Sequence, residues 1–219
     1  MTSQQLVTIL INNYNYDDFL TQAIESTLNQ DYKNIEIIVV DDGSQDDSRS
    51  ILTEYSHRIH PIFKQNGGQA SAFNTGFEAS GGEIICFLDA DDTFMLNKVS
   101  RIVELFGKYP EAGWLFHELQ YVTKDGSKMQ IEVQRATEHL LLKDFRQSVK
   151  NVEQLPYFPA TTGLAFRTEL LRKILPMPEV FRISADFFLR LASICQTPGI
   201  LCPENLGTHR QHGDNLYVL

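Results

Sequence analysis

The stretch Glu83-Ile84-Ile85-Cys86-Phe87-Leu88-Asp89-Ala90-Asp91-Asp92 is an apolar run that stops abruptly in acid. Consecutive β-branched and aromatic residues without polar alternation predict a strand buried on both faces. Helical spacing follows: Val99, Ile102, Val103 and Phe106 recur at i, i+3, i+4 and i+7, ahead of Pro110. A doubly buried strand belongs to a parallel sheet covered by helices, so the flanking sequence should supply more strand–helix units.

Upstream it does. Leu6 to Ile11 and Ile35 to Val40 are further apolar runs, with Ile59 to Phe63 a weaker one. Leu20, Ala23, Ile24, Thr27 and Leu28 predict a helix, with Asp17 and Asp18 at its start, where carboxylates suit the helix dipole. Ser44 and Asp47 are spaced like a capping box, predicting a helix from near Gln45. Gly67-Gly68 opens another, bearing Ala70, Phe73 and Phe77, which Ser80-Gly81-Gly82 ends. Strands alternating with helices predict βαβ units and a mostly parallel sheet, which binds ligands beyond the carboxyl ends of its strands. Those ends carry Asn12-Asn13-Tyr14, Asp41-Asp42 and Asp89-Ala90-Asp91-Asp92.

Downstream the pattern is mixed. Ala112 to Val122 predicts a strand, turning at Lys124-Asp125-Gly126-Ser127 into Lys128 to Val133. Residues 138–155 are expected to be partly helical. Thr161 to Phe166 predicts a strand, Arg167 to Ile174 a helix, and Phe188, Leu191, Ala192 and Cys195 one face of another. No Pro- or Gly-rich linker interrupts the 219 residues, so a single domain is expected, with a ligand-binding half (1–110) and a mixed half (111–219).

Composition narrows the function. Lys and Arg number 19 against 28 Asp and Glu, a formal charge of −9, which argues against a nucleic-acid binder. Cys86, Cys195 and Cys202 are scattered, as buried thiols of a reducing compartment would be. Met1 to Gln5 is short and polar, and no apolar run approaches membrane-spanning length. The expectation is a cytoplasmic protein, compatible with peripheral contact at the inner face of a membrane.

Three carboxylates within four residues at a strand end are costly if buried and unpaired. Asp89 and Asp91, at i and i+2, can reach one point, and carboxylate oxygens suit Mg²⁺ or Mn²⁺ that leave positions open for phosphate. A solvated turn capping the next helix is the plainer alternative. Asp41 and Asp42 can accept donors from a base or ribose, and Tyr14 offers a stacking face. Asn66-Gly67-Gly68-Gln69 before a helix suits an anion, though it is no P-loop. Asp186, beside Phe187 and Phe188, has the setting of a general base with a raised pKa, or of a first-turn Asp favoured by the dipole. Near the end, His212 is a candidate metal ligand and Arg210 a phosphate contact.

These pieces, in this order, resemble glycosyltransferase family 2, the inverting nucleotide-sugar transferases with a Rossmann-like GT-A fold. The resemblance is carried by Val7 to Leu20, Ile37 to Ser48, Asn66 to Gly76 and Gly82 to Asp92, and more weakly by Arg182 to Ala192 and Thr208 to Asn215. It implies a metal-dependent transfer of sugar from a nucleotide-diphosphate donor to a sugar or lipid-linked acceptor, in polysaccharide or glycoconjugate synthesis. Asn12, Tyr14, Asp41, Asp42, Asp89 and Arg210 match nucleotide-contacting positions. Asp91, joined by His212, matches the ligand of Mn²⁺ or Mg²⁺, and Asp186 the base. A carboxylate at Asp42 suits uracil or thymine, favouring UDP or TDP donors. Thr161-Thr162-Gly163 is expected to line the acceptor side, and residues 134–160 to form an acceptor loop or lid. The chain departs from the family pattern in its single acid at Asp186, four residues before Arg190, and in ending four residues after Asn215, where many relatives continue with a helix. Two alternatives compete: a nucleotide-sugar-binding subunit without catalysis, and a dehalogenase-like phosphatase in which Asp89 of Asp-Ala-Asp-Asp-Thr is the nucleophile.

Overall fold

The computed structural model describes residues 4–130, 139–148, 155 and 158–213. The strands are β1 (Val7–Asn13), β2 (Ile35–Asp41), β3 (His60–Phe63), β4 (Ile84–Asp89), β5 (Trp114–Val122), β6 (Leu141–Lys143), β7 (Leu164–Arg167) and β8 (Gly199–Arg210). They form one sheet in the order β3-β2-β1-β4-β7-β5-β8-β6. β3, β2, β1 and β4 run parallel; β7 enters antiparallel between β4 and β5, and β8 returns parallel to β5. The helices are α1 (Asp17–Leu28), α2 (Ser48–Tyr55), α3 (Gln69–Ala79), α4 (Lys98–Lys108), α5 (Thr168–Ile174) and α6 (Ala185–Ile194).

Period-two alternation splits each central strand between two cores. Val7, Ile9 and Ile11 of β1 pack with Leu20 and Ile24 of α1 and with Ile102 and Phe106 of α4. Leu10, on the opposite face, joins Phe73 of α3, Leu171 of α5 and Leu189 of α6. The parallel strands end in register, Asn12 opposite Asp89 and Asn13 opposite Asp41, so the polar strand ends form one row.

The expected strand at Thr161 begins instead with a 3-10 turn, Thr161–Gly163, and only Leu164 onward is strand. The helix expected from Gln45 starts at Ser48 without a side-chain cap, because Ser44 Oγ is already bonded to Asp41 and Asn13. Leu141–Lys143, placed in the partly helical stretch, is a strand on β8. The far end of the hairpin (131–133), residues 149–154 and 156–157, and much of the expected lid lie outside the described residues.

β8 has no room for side-chain volume at its start. A Cβ on Gly199 would lie 1.9 Å from Cδ2 of the fully buried Trp114. Overpacking of this kind costs about 1–3 kcal/mol. Gly199→Ala should therefore lower the melting temperature by roughly 3–10 °C in a thermal unfolding scan, and an unchanged midpoint would contradict this packing.

Candidate active site

Asp89 ends β4 and Asp91 and Asp92 follow it, and burial pushes the carboxyls of Asp89 and Asp91 above their ordinary range. Asp89, held well above, is further raised by Asp91, Asp92 and Asp186, against the hydrogen bond from Asn12 Nδ2 at 2.9 Å. Asp91 Oδ2 stands 3.1 Å from His212 Nε2, and His212 packs on Phe19 and edge-on to Tyr16. Asp92 is the most enclosed of the three. It accepts from Thr162 Oγ1 at 2.5 Å and from the Arg210 backbone N–H at 2.7 Å, and His209 Nδ1 lies at 3.4 Å. Burial opposes charge on His209, but Asp92, helped by Asp91 and Asp89, outweighs it and lifts the imidazole to about 9.

Asp186 sits in the first turn of α6, after Ser184 in the left-handed region at φ 55°. Its carboxylate accepts from the Phe187 N–H at 2.9 Å and pairs with Arg190 Nη2 at 3.3 Å. Burial raises its pKa despite Arg190. Gln69 ties α6 into place: its Oε1 accepts from Ala185 N–H at 2.8 Å and its Nε2 faces Thr161 Oγ1 at 3.4 Å. Asn12, Asp89, Asp91 and Asp186 thus belong to one electrostatic cluster. Tyr14 lines an adjoining cavity of about 240 Å³ with Asn15, Tyr16, Asp17, Asp18, Phe19 and His212. Asp41 accepts from Asn13 Nδ2 at 2.9 Å, and among the described residues the buried Oδ1 atoms of Asn12 and Asn13 meet no hydrogen-bond partner.

Several expected contacts are given to the protein itself. Asp42 accepts from Lys64 Nζ at 2.7 Å, Gly67 N–H at 2.9 Å and Gly68 N–H at 2.7 Å. The start of α3, expected to suit an external anion, is filled from inside. Asp42 supplies the negative charge, and the next N–H groups, of Gln69 and Ala70, donate to Arg182 O and Phe181 O. Gly68 (φ 89°) is needed because a Cβ there would meet Arg182 Cα at 2.6 Å. Arg210 is buried behind the acidic loop: Nε donates to Asp91 O, Nη1 to Lys124 O and Nη2 to Gln22 Oε1. Thr161, Thr162 and Gly163, expected on the acceptor side, are buried. Thr162 is a strut under the acidic loop. Asn215 lies outside the described residues.

Asp91 and His212 have the donor chemistry of ligands to a divalent ion. Asp91 Oδ2 and His212 Nε2 are hydrogen-bonded to each other at 3.1 Å, which brings a carboxylate oxygen and an imidazole nitrogen to one point. Among the described residues no group of three or more His, Cys, Asp or Glu side chains is placed to hold a metal ion, so a cation here would have to be completed by other ligands. That suits Mg²⁺ or Mn²⁺, which take few protein ligands and fill the rest with water and phosphate.

Sequence reasoning gave Thr162 and Gln69 other roles, on the acceptor side and in an anion-binding turn, and missed His209 beside Asp92 and Lys98 beneath Thr162. Lys98 alone carried a signal, since it shares the apolar face of α4 with Ile102 and Leu105.

Comparison with known proteins agrees with the fold. The model of the family described as "Glycosyl transferase family 2" matches residues 8–175. An uncharacterized glycosyltransferase of Nostoc sp. is 38% identical over 97% of this chain, which spans 66% of that relative. The glycosyltransferase GlyA of Streptococcus pneumoniae is 37% identical over 47% of the chain, and the match covers 15% of GlyA. Among solved structures, S. aureus TarS 1–349 in complex with UDP superimposes with a TM-score of 0.75 at 18% identity, covering 94% of this chain and 60% of that one. Its complex with UDP-GlcNAc gives a TM-score of 0.76 at 18% identity, with 97% and 61% covered. The sheet and its flanking helices match the GT-A fold of these structures, and the phosphatase alternative gives way to this match. With the acidic motif, the strand order and the family match in agreement, the chain belongs to glycosyltransferase family 2.

Proposed function

We propose that the protein transfers a sugar from a nucleoside-diphosphate donor to an acceptor hydroxyl, with inversion at the anomeric carbon, in the synthesis of a polysaccharide or glycoconjugate. The observation that carries this reading is the convergence of Asp89, Asp91 and Asp186 beside His212 at the carboxyl end of β4, with carboxyls raised by burial. A bound divalent cation would supply positive charge to such a cluster and to the diphosphate it holds. The UDP and UDP-GlcNAc complexes of TarS support a uridine donor, with TDP as the close alternative.

In this reading Tyr14, Asp41 and the free Oδ1 of Asn13 face the nucleoside, and Asn12 and Asp89 the ribose. Asp91 and His212 hold Mn²⁺ or Mg²⁺, which when bound supplies positive charge to the diphosphate leaving group. Asp186 accepts the proton of the acceptor hydroxyl as its oxygen attacks the anomeric carbon. The bond from that carbon to the diphosphate oxygen breaks on the opposite face, and the nucleoside diphosphate leaves. Asp42 and Arg210 act indirectly, one by setting the glycine turn and the other by bracing the acidic loop. Val180, Phe181, Ile183 and Phe187 expose apolar side chains beside Asp186, which supports a lipid-linked acceptor and peripheral membrane contact. Among the described residues no helix is long and apolar enough to cross a membrane.

A transfer assay over UDP- and TDP-sugars, with the product anomer read by NMR, tests the reading. Asp91→Asn and Asp186→Asn should each lower kcat by at least about a hundredfold, and wild-type turnover in either variant would contradict its role. Asp186 works only when deprotonated, and burial raises its pKa. The acidic limb of kcat/KM should therefore fall through an apparent pKa above the value of about 4 of an ordinary Asp. A profile flat down to pH 4 would remove Asp186 as the base.

A further inference from the structure

Lys98 is the first residue of α4, and its side chain is wholly buried. Three effects disfavour an ammonium there. Burial strips its water, the helix N-terminus repels cations, and few groups compensate. Its Nζ donates to Thr162 O at 2.6 Å and sits 3.4 Å over the centre of the Phe94 ring. Cys86 on β4, Asp92 in the acidic loop and His117 on β5 are the titratable groups around it. Burial pushes Lys98 down to about 7, with Cys86 and Asp92 opposing, while His117 is held neutral by its own burial and by Lys98. A Met or Leu would fill the same space without these costs, so packing alone does not account for a lysine.

The contact it makes does account for it. Thr162 Oγ1 accepts from the Asp89 N–H at 3.2 Å and donates to Asp92 Oδ2 at 2.5 Å. One threonine therefore sets the backbone of the first acid and the side chain of the third, and Lys98 holds that threonine by its carbonyl. Asp92 in turn accepts the Arg210 N–H, two residues from His212. We propose that Lys98 is a positioning residue of the active site, acting through Thr162 to fix Asp89 and Asp92 and, through Asp92, the strand end that carries His212. Its effect on sugar transfer rests on the proposed function; the strut itself does not.

Amide hydrogen exchange and transfer kinetics of Lys98→Met, Thr162→Val and Thr162→Ser test it. In Lys98→Met and Thr162→Val the N–H groups of Asp89 and Arg210 should exchange at least about tenfold faster, with those of β1 and β2 unchanged. Both variants should lose about 10- to 100-fold in kcat with the donor KM held within about threefold, since misplacement of reacting groups acts on the chemical step. The double variant should be no worse than the poorer single, because the two residues form one strut. Thr162→Ser, which restores the hydroxyl, should recover both protection and rate. If Lys98→Met fails to fold, Lys98→Leu, which likewise removes the donor to Thr162 O, carries the same expectations. Unchanged exchange at Asp89 and Arg210 in the folded lysine variants, or additive losses in the double variant, overturns the proposal. A wild-type protein that transfers no sugar would sink the transferase reading and leave the exchange comparison to decide the strut.

Discussion

Asp89, Asp91 and Asp92 leave the end of a strand buried on both faces, and Asp186 faces them from α6. Like charges this close, with little water, repel strongly. The surroundings answer each charge differently. Asp92 is neutralised from within by Thr162, His209 and the Arg210 backbone, and becomes part of the framework. Asp186 is offset by Arg190. Asp89 is bonded by Asn12, and Asp91 is met by His212, with His209 and His212 favouring its charge against burial. The division separates carboxylates that hold the loop from those with capacity for a ligand.

Asp42 shows the same logic away from the cluster. A helix start preceded by two glycines is a ready anion site, and here the anion is the protein's own side chain. The arrangement fixes the turn at Gly67-Gly68 and lets the Phe181–Arg182 backbone lie across the start of α3. Since that segment leads directly into α6, Asp42 and Gln69 together govern where Asp186 stands.

The parallel half of the fold was legible because doubly buried strands are continuous apolar runs and their helices keep a clean apolar stripe. β8 was not, since Gly199–Arg210 contains Pro203, Glu204, Asn205 and Gly207 and its register against β5 shifts near His117–Glu118. It is specified by β5 and β6 rather than by its own periodicity. The acids were visible as candidates because a charged cluster at the end of an apolar strand is costly unless it is solvated or paired. Arg210, Asp42 and Thr162 were visible too, yet their direction was not. Whether a polar side chain faces a cleft or braces a loop depends on partners far away in sequence, such as Lys64 for Asp42 and Lys98 for Thr162.

In the proposed function Asp91 and His212 are two sides of a cation site that a nucleoside diphosphate completes. Calorimetric titration of the wild-type protein with UDP, in the presence and absence of Mn²⁺, tests it most directly. The account predicts binding at least about tenfold tighter with the metal. Equal affinity with and without Mn²⁺, or no binding in either condition, would contradict it.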